Sequence, residues 1–216
     1  MSSFYNELLL LQEASEVLTN GGDKAALVVL CNLLAKFHLD AHFGIILVHR
    51  HFELTGDEQM VDLPGETQLT VTSVFKNGRP DSHVVGEYNL EIPSSPAIVP
   101  TSFIVRNAKL LPYEFAYIPT EDAGSYADTV TRIDSRFRKE WVETLKKFEM
   151  VDRFGVTTLG GARGLRCEQS YTDKRVSVLR RVNEIDATLV PTVWYSDCGA
   201  PRVCGGCEHG SANNAS

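Results

Sequence analysis

Phe43-Gly44-Ile45-Ile46-Leu47-Val48-His49-Arg50-His51-Phe52-Glu53-Leu54 is the stretch in which the periodicity of the chain changes from helical to extended. Side chains alternate across an extended backbone, so Ile45, Leu47, His49, His51 and Glu53 share one face and Ile46, Val48, Arg50, Phe52 and Leu54 the other. The first face turns from apolar to ionisable. Two imidazoles and a carboxylate spaced by two residues lie close enough to share a metal ion, a proton or an anion. A strand end facing solvent would carry the same residues without function. Arg50, on the apolar face, needs a carboxylate partner, for which Glu58 and Glu114 are the candidates.

On the N-terminal side, Phe4, Leu8, Leu11, Ala14 and Leu18 recur at helical spacing up to Gly21-Gly22, and Asp23 caps a second helix reaching about Phe37. On the C-terminal side, Thr55-Gly56-Asp57-Glu58 reads as a turn, with residues 59–63 returning beside the first strand. Leu69, Val71 and Phe75 mark another strand, Asn77-Gly78 a turn, and Val84, Tyr88, Leu90 and Ile92 its partner. The prolines in 93–100 argue for a loop. Residues 102–106, 110–118, 175–182 and 188–195 read as extended, whereas 122–150 carries the longest helical pattern, through Ala127, Val130, Ile133, Phe137, Trp141, Leu145 and Phe148. The expectation is a single α+β domain over 1–204: a mostly antiparallel sheet packed by two N-terminal helices and one long helix in the second half, with a disordered tail over 205–216.

The N-terminus has no basic segment followed by a long apolar run, so neither secretion nor membrane insertion is signalled, and five cysteines do not make a secreted disulfide framework. A cytoplasmic protein is expected. The formal charge of −7 argues against a generally nucleic-acid-binding protein, yet the charge is uneven: residues 1–127 carry −9, 128–181 carry +5 and 182–216 carry −3. The basic block is either a solvated helix face or a seat for phosphates.

Cys198, Cys204, Cys207 and His209 offer four soft or borderline ligands within twelve residues, a pattern open to a structural zinc ion or to an unliganded tail. His38 and His42 straddle a helix end. Gly160-Gly161-Ala162-Arg163-Gly164 lacks the spacing of either a P-loop or a dinucleotide turn. No Gly-x-Ser-x-Gly elbow, His-Glu-x-x-His helix or kinase signature is present, which lowers the weight of the common hydrolase and nucleotide-dependent readings.

In outline from about residue 8 to 207, Leu47-Val48-His49-Arg50-His51-Phe52-Glu53-Leu54, Gly56-Asp57-Glu58-Gln59-Met60-Val61, Leu111-Pro112-Tyr113-Glu114-Phe115 and the late Trp194 before a cysteine-rich end resemble the fungal arginine-containing cyclodipeptide synthases. The resemblance implies an enzyme that joins an arginyl group and a second aminoacyl group, each from its charged tRNA, into a cyclic dipeptide for secondary metabolism. It implies no required cofactor. His49, His51 and Glu53 would be catalytic. Arg50, Asp57, Glu58, Tyr113 and Glu114 would line the substrate site, the carboxylates pairing with guanidinium. Arg136, Arg138, Lys139, Lys146, Lys147, Arg163 and Arg166 would hold tRNA phosphates. The partners are then arginyl-tRNA and a second aminoacyl-tRNA, with no membrane and no DNA, and no oligomeric state follows. The competing reading is a metal-dependent enzyme acting on a free small molecule through a His49, His51, Glu53 face.

Overall fold

The computed structural model describes residues 2–20, 23–64, 69–80, 82–87, 90, 92, 96–159, 165–183 and 189–209. In chain order the elements are α1 (Ser2–Tyr5), α2 (Leu11–Asn20), α3 (Asp23–Lys36), β1 (Phe43–Leu47), β2 (Glu58–Pro64), β3 (Leu69–Lys76), β4 (Arg79–Pro80), α4 (Ser82–Glu87), β5 (Pro96–Arg106), β6 (Lys109–Pro119), α5 (Thr120–Thr131), α6 (Ser135–Lys147), β7 (Phe154–Thr158), β8 (Arg166–Tyr171), β9 (Val176–Arg181), β10 (Val190–Asp197) and β11 (Ala200–His209).

Ten of these strands form a closed mixed barrel in the order β2-β6-β5-β7-β1-β10-β11-β8-β9-β3, and the β3–β2 pairing completes the circle. This corrects the expected α+β sheet, mostly antiparallel and packed by helices. Closure requires strands distant in sequence to meet. Two of the joints that do so are parallel, β2 beside β6 and β11 beside β8, and others, such as β1 beside β10 and β3 beside β9, are antiparallel. A closed barrel leaves no edge and creates an inside.

Alternation then sorts side chains between that inside and an outer coat. Ile45, Leu47, Phe103, Val105, Phe154, Val156 and Trp194 face outward and pack beneath α3 and α6, where Leu30, Leu34, Phe137, Trp141 and Leu145 complete the main core. Val61, Leu63, Val71, Phe75, Phe115, Val176 and Val178 form a second outer cluster, under α4. A third cluster, with Tyr5, Leu8, Val48, Phe52, Leu54, Met60, Ile104 and Tyr113, joins α1 and the segment after β1 to the barrel.

Several local expectations are revised. The strand expected through Leu54 stops at Leu47: the Val48 amide donates to the Arg153 carbonyl, the Arg50 amide to that of Leu9, and Leu10 bridges Arg50. The return strand β2 pairs with β3 and β6 rather than with β1. The helix expected over 122–150 is two helices, because Asp134 accepts a hydrogen bond from the Phe137 amide (2.7 Å) and starts α6 afresh. The expected N-terminal helix is likewise divided between α1 and α2. Of the strand expected through Val84, Tyr88, Leu90 and Ile92, Val84 lies in the helix α4, and Tyr88 lies outside the described residues. Prolines 96 and 100 do lie in a strand, Pro96 at its start and Pro100 at a register shift, the positions where a missing N–H is tolerated. Residues 205–209, assigned to the tail, complete β11, while 210–216 and the glycine run 160–164 lie outside the described residues. Among the described residues, no single helix is long and apolar enough to cross a membrane.

Candidate functional site

The barrel interior holds a cavity of about 480 Å³, within the size range of small-molecule sites. Much of its wall is hydroxyl-bearing: Thr70, Thr72, Ser102, Thr157 and Thr192 line it with Ile46, Ala116 and Leu179. Among these lie the ionisable groups Asp62 from β2, Glu114 from β6, Glu168 and Arg166 from β8, and His49 from the segment after β1. Tyr126 of α5 also lines the cavity, its hydroxyl donating to the Pro100 carbonyl at 2.6 Å.

The carboxyls are shaped by burial away from bulk water. Burial pushes Glu114 up to about 8, with the neighbouring Glu168 and then Asp62 adding repulsion and Ser102 partly offsetting it. Asp62 rises to about 6, again mainly through burial, although Thr72 donates a hydrogen bond to it. At neutral pH the Glu114 carboxyl is therefore mostly protonated and that of Asp62 mostly ionised.

His49 and His51 come together as expected, with ring centroids 4.7 Å apart and side chains almost fully buried. Nδ1 of His49 lies 2.9 Å from the Leu47 carbonyl, to which only an N–H can donate, so Nε2 is the basic nitrogen. His51 Nδ1 contacts Ser170 Oγ at 2.8 Å, and Ser170 contacts Ser177 at 2.7 Å. Its Nε2 lies 3.4 Å from Glu168 and 4.0 Å from Glu114, and its amide donates to the Tyr5 hydroxyl.

Glu53 does not join them. It is exposed and pairs with Arg50 at 3.1 Å, because the backbone leaves the strand geometry that would have put it on the histidine face. Arg50 thus has neither expected partner. Glu58 is instead bound by both terminal nitrogens of Arg175, at 3.0 and 2.7 Å, which holds its carboxyl down at about 2. Asp57 is exposed in the preceding turn, and Tyr113 is buried in the third cluster. Of the expected substrate residues, Glu114 faces the cavity.

The expected phosphate-binding residues separate. Arg136, Arg138, Lys139, Lys146 and Lys147 are exposed on α6, interleaved with Glu140 and Glu143, which pair with Lys36 and Lys139. Arg166 belongs to the cavity, and with Arg180 and Arg181 it also lines a small adjoining depression. Arg163 lies outside the described residues. The C-terminal metal set divides too: Cys198 is exposed at the β10–β11 turn, Cys204 lines the cavity, and Cys207 is buried with its thiol donating to Glu168 at 3.3 Å. Burial raises the Cys204 thiol to about 11 and the Cys207 thiol well above its ordinary value. The side chain of His209 lies outside the described residues.

Compared with family models, curated proteins and solved structures, the chain matches none.

Asp62 and Glu168 were not singled out in the sequence. Asp62 sits between Val61 and Leu63, which reads as an ordinary outward position of a half-buried strand. The available signal was an acidic residue flanked on both sides by apolar ones, and it acquires meaning only when the sheet closes and its polar face becomes the interior.

Proposed function

We propose that the barrel is a chamber for a small cationic group, the arginyl moiety of a charged tRNA, and that the chain is an arginine-containing cyclodipeptide synthase acting in the cytoplasm. The observation that carries this reading is the set of inward carboxyls: Asp62, Glu114 and Glu168 all border one cavity, with Arg166 as the opposing charge. Guanidinium pairs with carboxylate through two parallel hydrogen bonds, and the pairing is strongest away from water.

Asp62 is the anchor for the guanidinium, since it is the more readily ionised of the two perturbed carboxyls and is oriented by Thr72. Glu114, with a carboxyl near 8, suits proton transfer close to neutral pH. In the reaction, the α-amine of one aminoacyl unit attacks the ester carbonyl of the other. A C–N bond forms and the C–O bond to the tRNA breaks. The amine's proton passes through Glu114 to the departing ribose oxygen. A second such step closes the ring and frees the other tRNA. The esters are already activated, so no ATP is consumed. Holding both units in one cavity replaces a bimolecular encounter, which is the largest advantage such a chamber offers. Arg166, Arg180 and Arg181 supply charge for the terminal phosphates.

The test is mass spectrometry of a bacterial host expressing the chain, against empty vector. A new arginine-containing cyclic dipeptide, lost with Asp62→Asn and with Glu114→Gln, is the expected result. Folded, abundant protein without such a product refutes the synthase assignment.

A further inference from the structure

We propose that His49, His51 and Cys207 bind one divalent ion of the zinc type inside the barrel. One ligand atom from each lies within 4.8 Å of the other two, and all three side chains are buried. Among the described residues this is the one such group of three. Zinc bonds of about 2.0–2.3 Å at tetrahedral angles place ligand atoms roughly 3.3–3.7 Å apart. Side-chain adjustments of about 1 Å therefore close the site.

The surroundings are those a metal-binding histidine needs. A ligating imidazole is commonly held by a hydrogen bond from its other nitrogen, which fixes both the tautomer and the ring plane. Here Nδ1 of His49 is held by the Leu47 carbonyl and Nδ1 of His51 by Ser170, itself braced by Ser177. In both rings that makes Nε2 the nitrogen for the ion. Cys207 reaches the same place from β11, more than 150 residues away in sequence, beside Glu168 of β8 with which it is in register. Glu168 touches both the Cys207 thiol (3.3 Å) and His51 Nε2 (3.4 Å), and so stands beside the site as a polar neighbour of two of its ligands. Two imidazoles and a thiolate match zinc or its cobalt substitute; magnesium and calcium prefer all-oxygen sites. The ligand set differs from both sequence-based expectations, replacing Glu53 in one and Cys198, Cys204 and His209 in the other. Asp62 and Glu114 take no part in it, and Glu168, which touches two of the ligands, is the residue it shares with the substrate reading.

The full-length protein, stripped with chelator and kept reduced, is titrated with Co²⁺ and followed by absorption. One equivalent should bind, with the visible bands of tetrahedral cobalt and a thiolate-to-cobalt charge-transfer band, all abolished by added Zn²⁺. Cys207→Ser should remove the charge-transfer band and weaken binding by at least about tenfold, whereas Cys198→Ser, at an exposed thiol, should leave both unchanged. Should Cys207→Ser fail to fold, His49→Gln is read by the same bands and must alter them. Absence of cobalt bands in the folded wild type overturns the site, as does a spectrum indifferent to these substitutions or one lost with Cys198→Ser.

Discussion

Glu114 shows how a single inward position couples stability to pH. Its carboxyl, near 8 in the folded chain, would titrate near 4.5 when unfolded. Below about pH 4 the group is neutral in both states and adds nothing to the difference. Between roughly pH 4.5 and 8 the unfolded chain releases its proton while the folded chain holds it, so stability falls as pH rises, and levels off once both states are ionised. Glu114→Gln removes that dependence. In the metal-free protein it should raise the melting temperature at pH 8 by on the order of 5 °C while leaving it nearly unchanged at pH 4, as differential scanning calorimetry can measure. Glu58 is the opposite case: Arg175 holds its carboxyl near 2, so its contribution is present above about pH 4.5 and is lost as pH falls toward 2. Burial with a cationic partner and burial without one thus give carboxyls of the same chain opposite pH dependences.

At the scale of elements, the β5–β6 hairpin turns through Asn107 and Ala108, both with positive φ (51° and 59°). Asparagine tolerates that region through its side chain and alanine does not, while glycine enters it without steric cost. Ala108→Gly should therefore stabilise the chain by about 1 kcal/mol, a rise of roughly 2–4 °C in a melting curve. Gly44 of β1 is the converse. A Cβ there would stand 2.6 Å from the Trp194 carbonyl and 2.9 Å from a Leu159 methyl, so Gly44→Ala should push β1 and β10 apart and lower stability by a few kcal/mol, on the order of an overpacked core. Periodicity made α3, β3, β6, β9 and β10 legible, because each has one apolar face over a whole element. The end of β1 was not legible. Residues 48–54 continue the alternating pattern, and what ends the strand is pairing with Leu9, Leu10 and Arg153, partners that the local sequence does not announce.

For the whole molecule, the step that sequence could not supply is closure. An alternating strand is the same whether its polar face meets water or an enclosed chamber, so Asp62, Thr72 and Glu168 carried no distinguishing mark. The joints between distant strands, β2 to β6 and β8 to β11 in parallel and β1 to β10 and β3 to β9 antiparallel, have no turn residues to encode them. His49 and His51 stood out in the sequence because the face they share turns from apolar to ionisable, and Glu114 as a candidate partner of Arg50 within a stretch that carries the resemblance. Their companions Asp62, Glu168 and Cys207 were brought to them by the barrel. The basic block likewise divided once folded, α6 on the outer coat and Arg166 within. The proposal of a cationic substrate rests on the carboxyl-lined interior. The most direct test is calorimetric titration of the full chain with arginine methyl ester, which presents the guanidinium and the ester of an arginyl-tRNA terminus, alongside norleucine methyl ester, which has neither the guanidinium nor its charge. The arginine ester should bind, its affinity should rise from pH 5 to pH 7 as Asp62 ionises, and Asp62→Asn should weaken it by about a hundredfold. Equal affinity for the two esters, or an arginine ester that binds the Asp62→Asn protein as well as the wild type, would contradict the proposal.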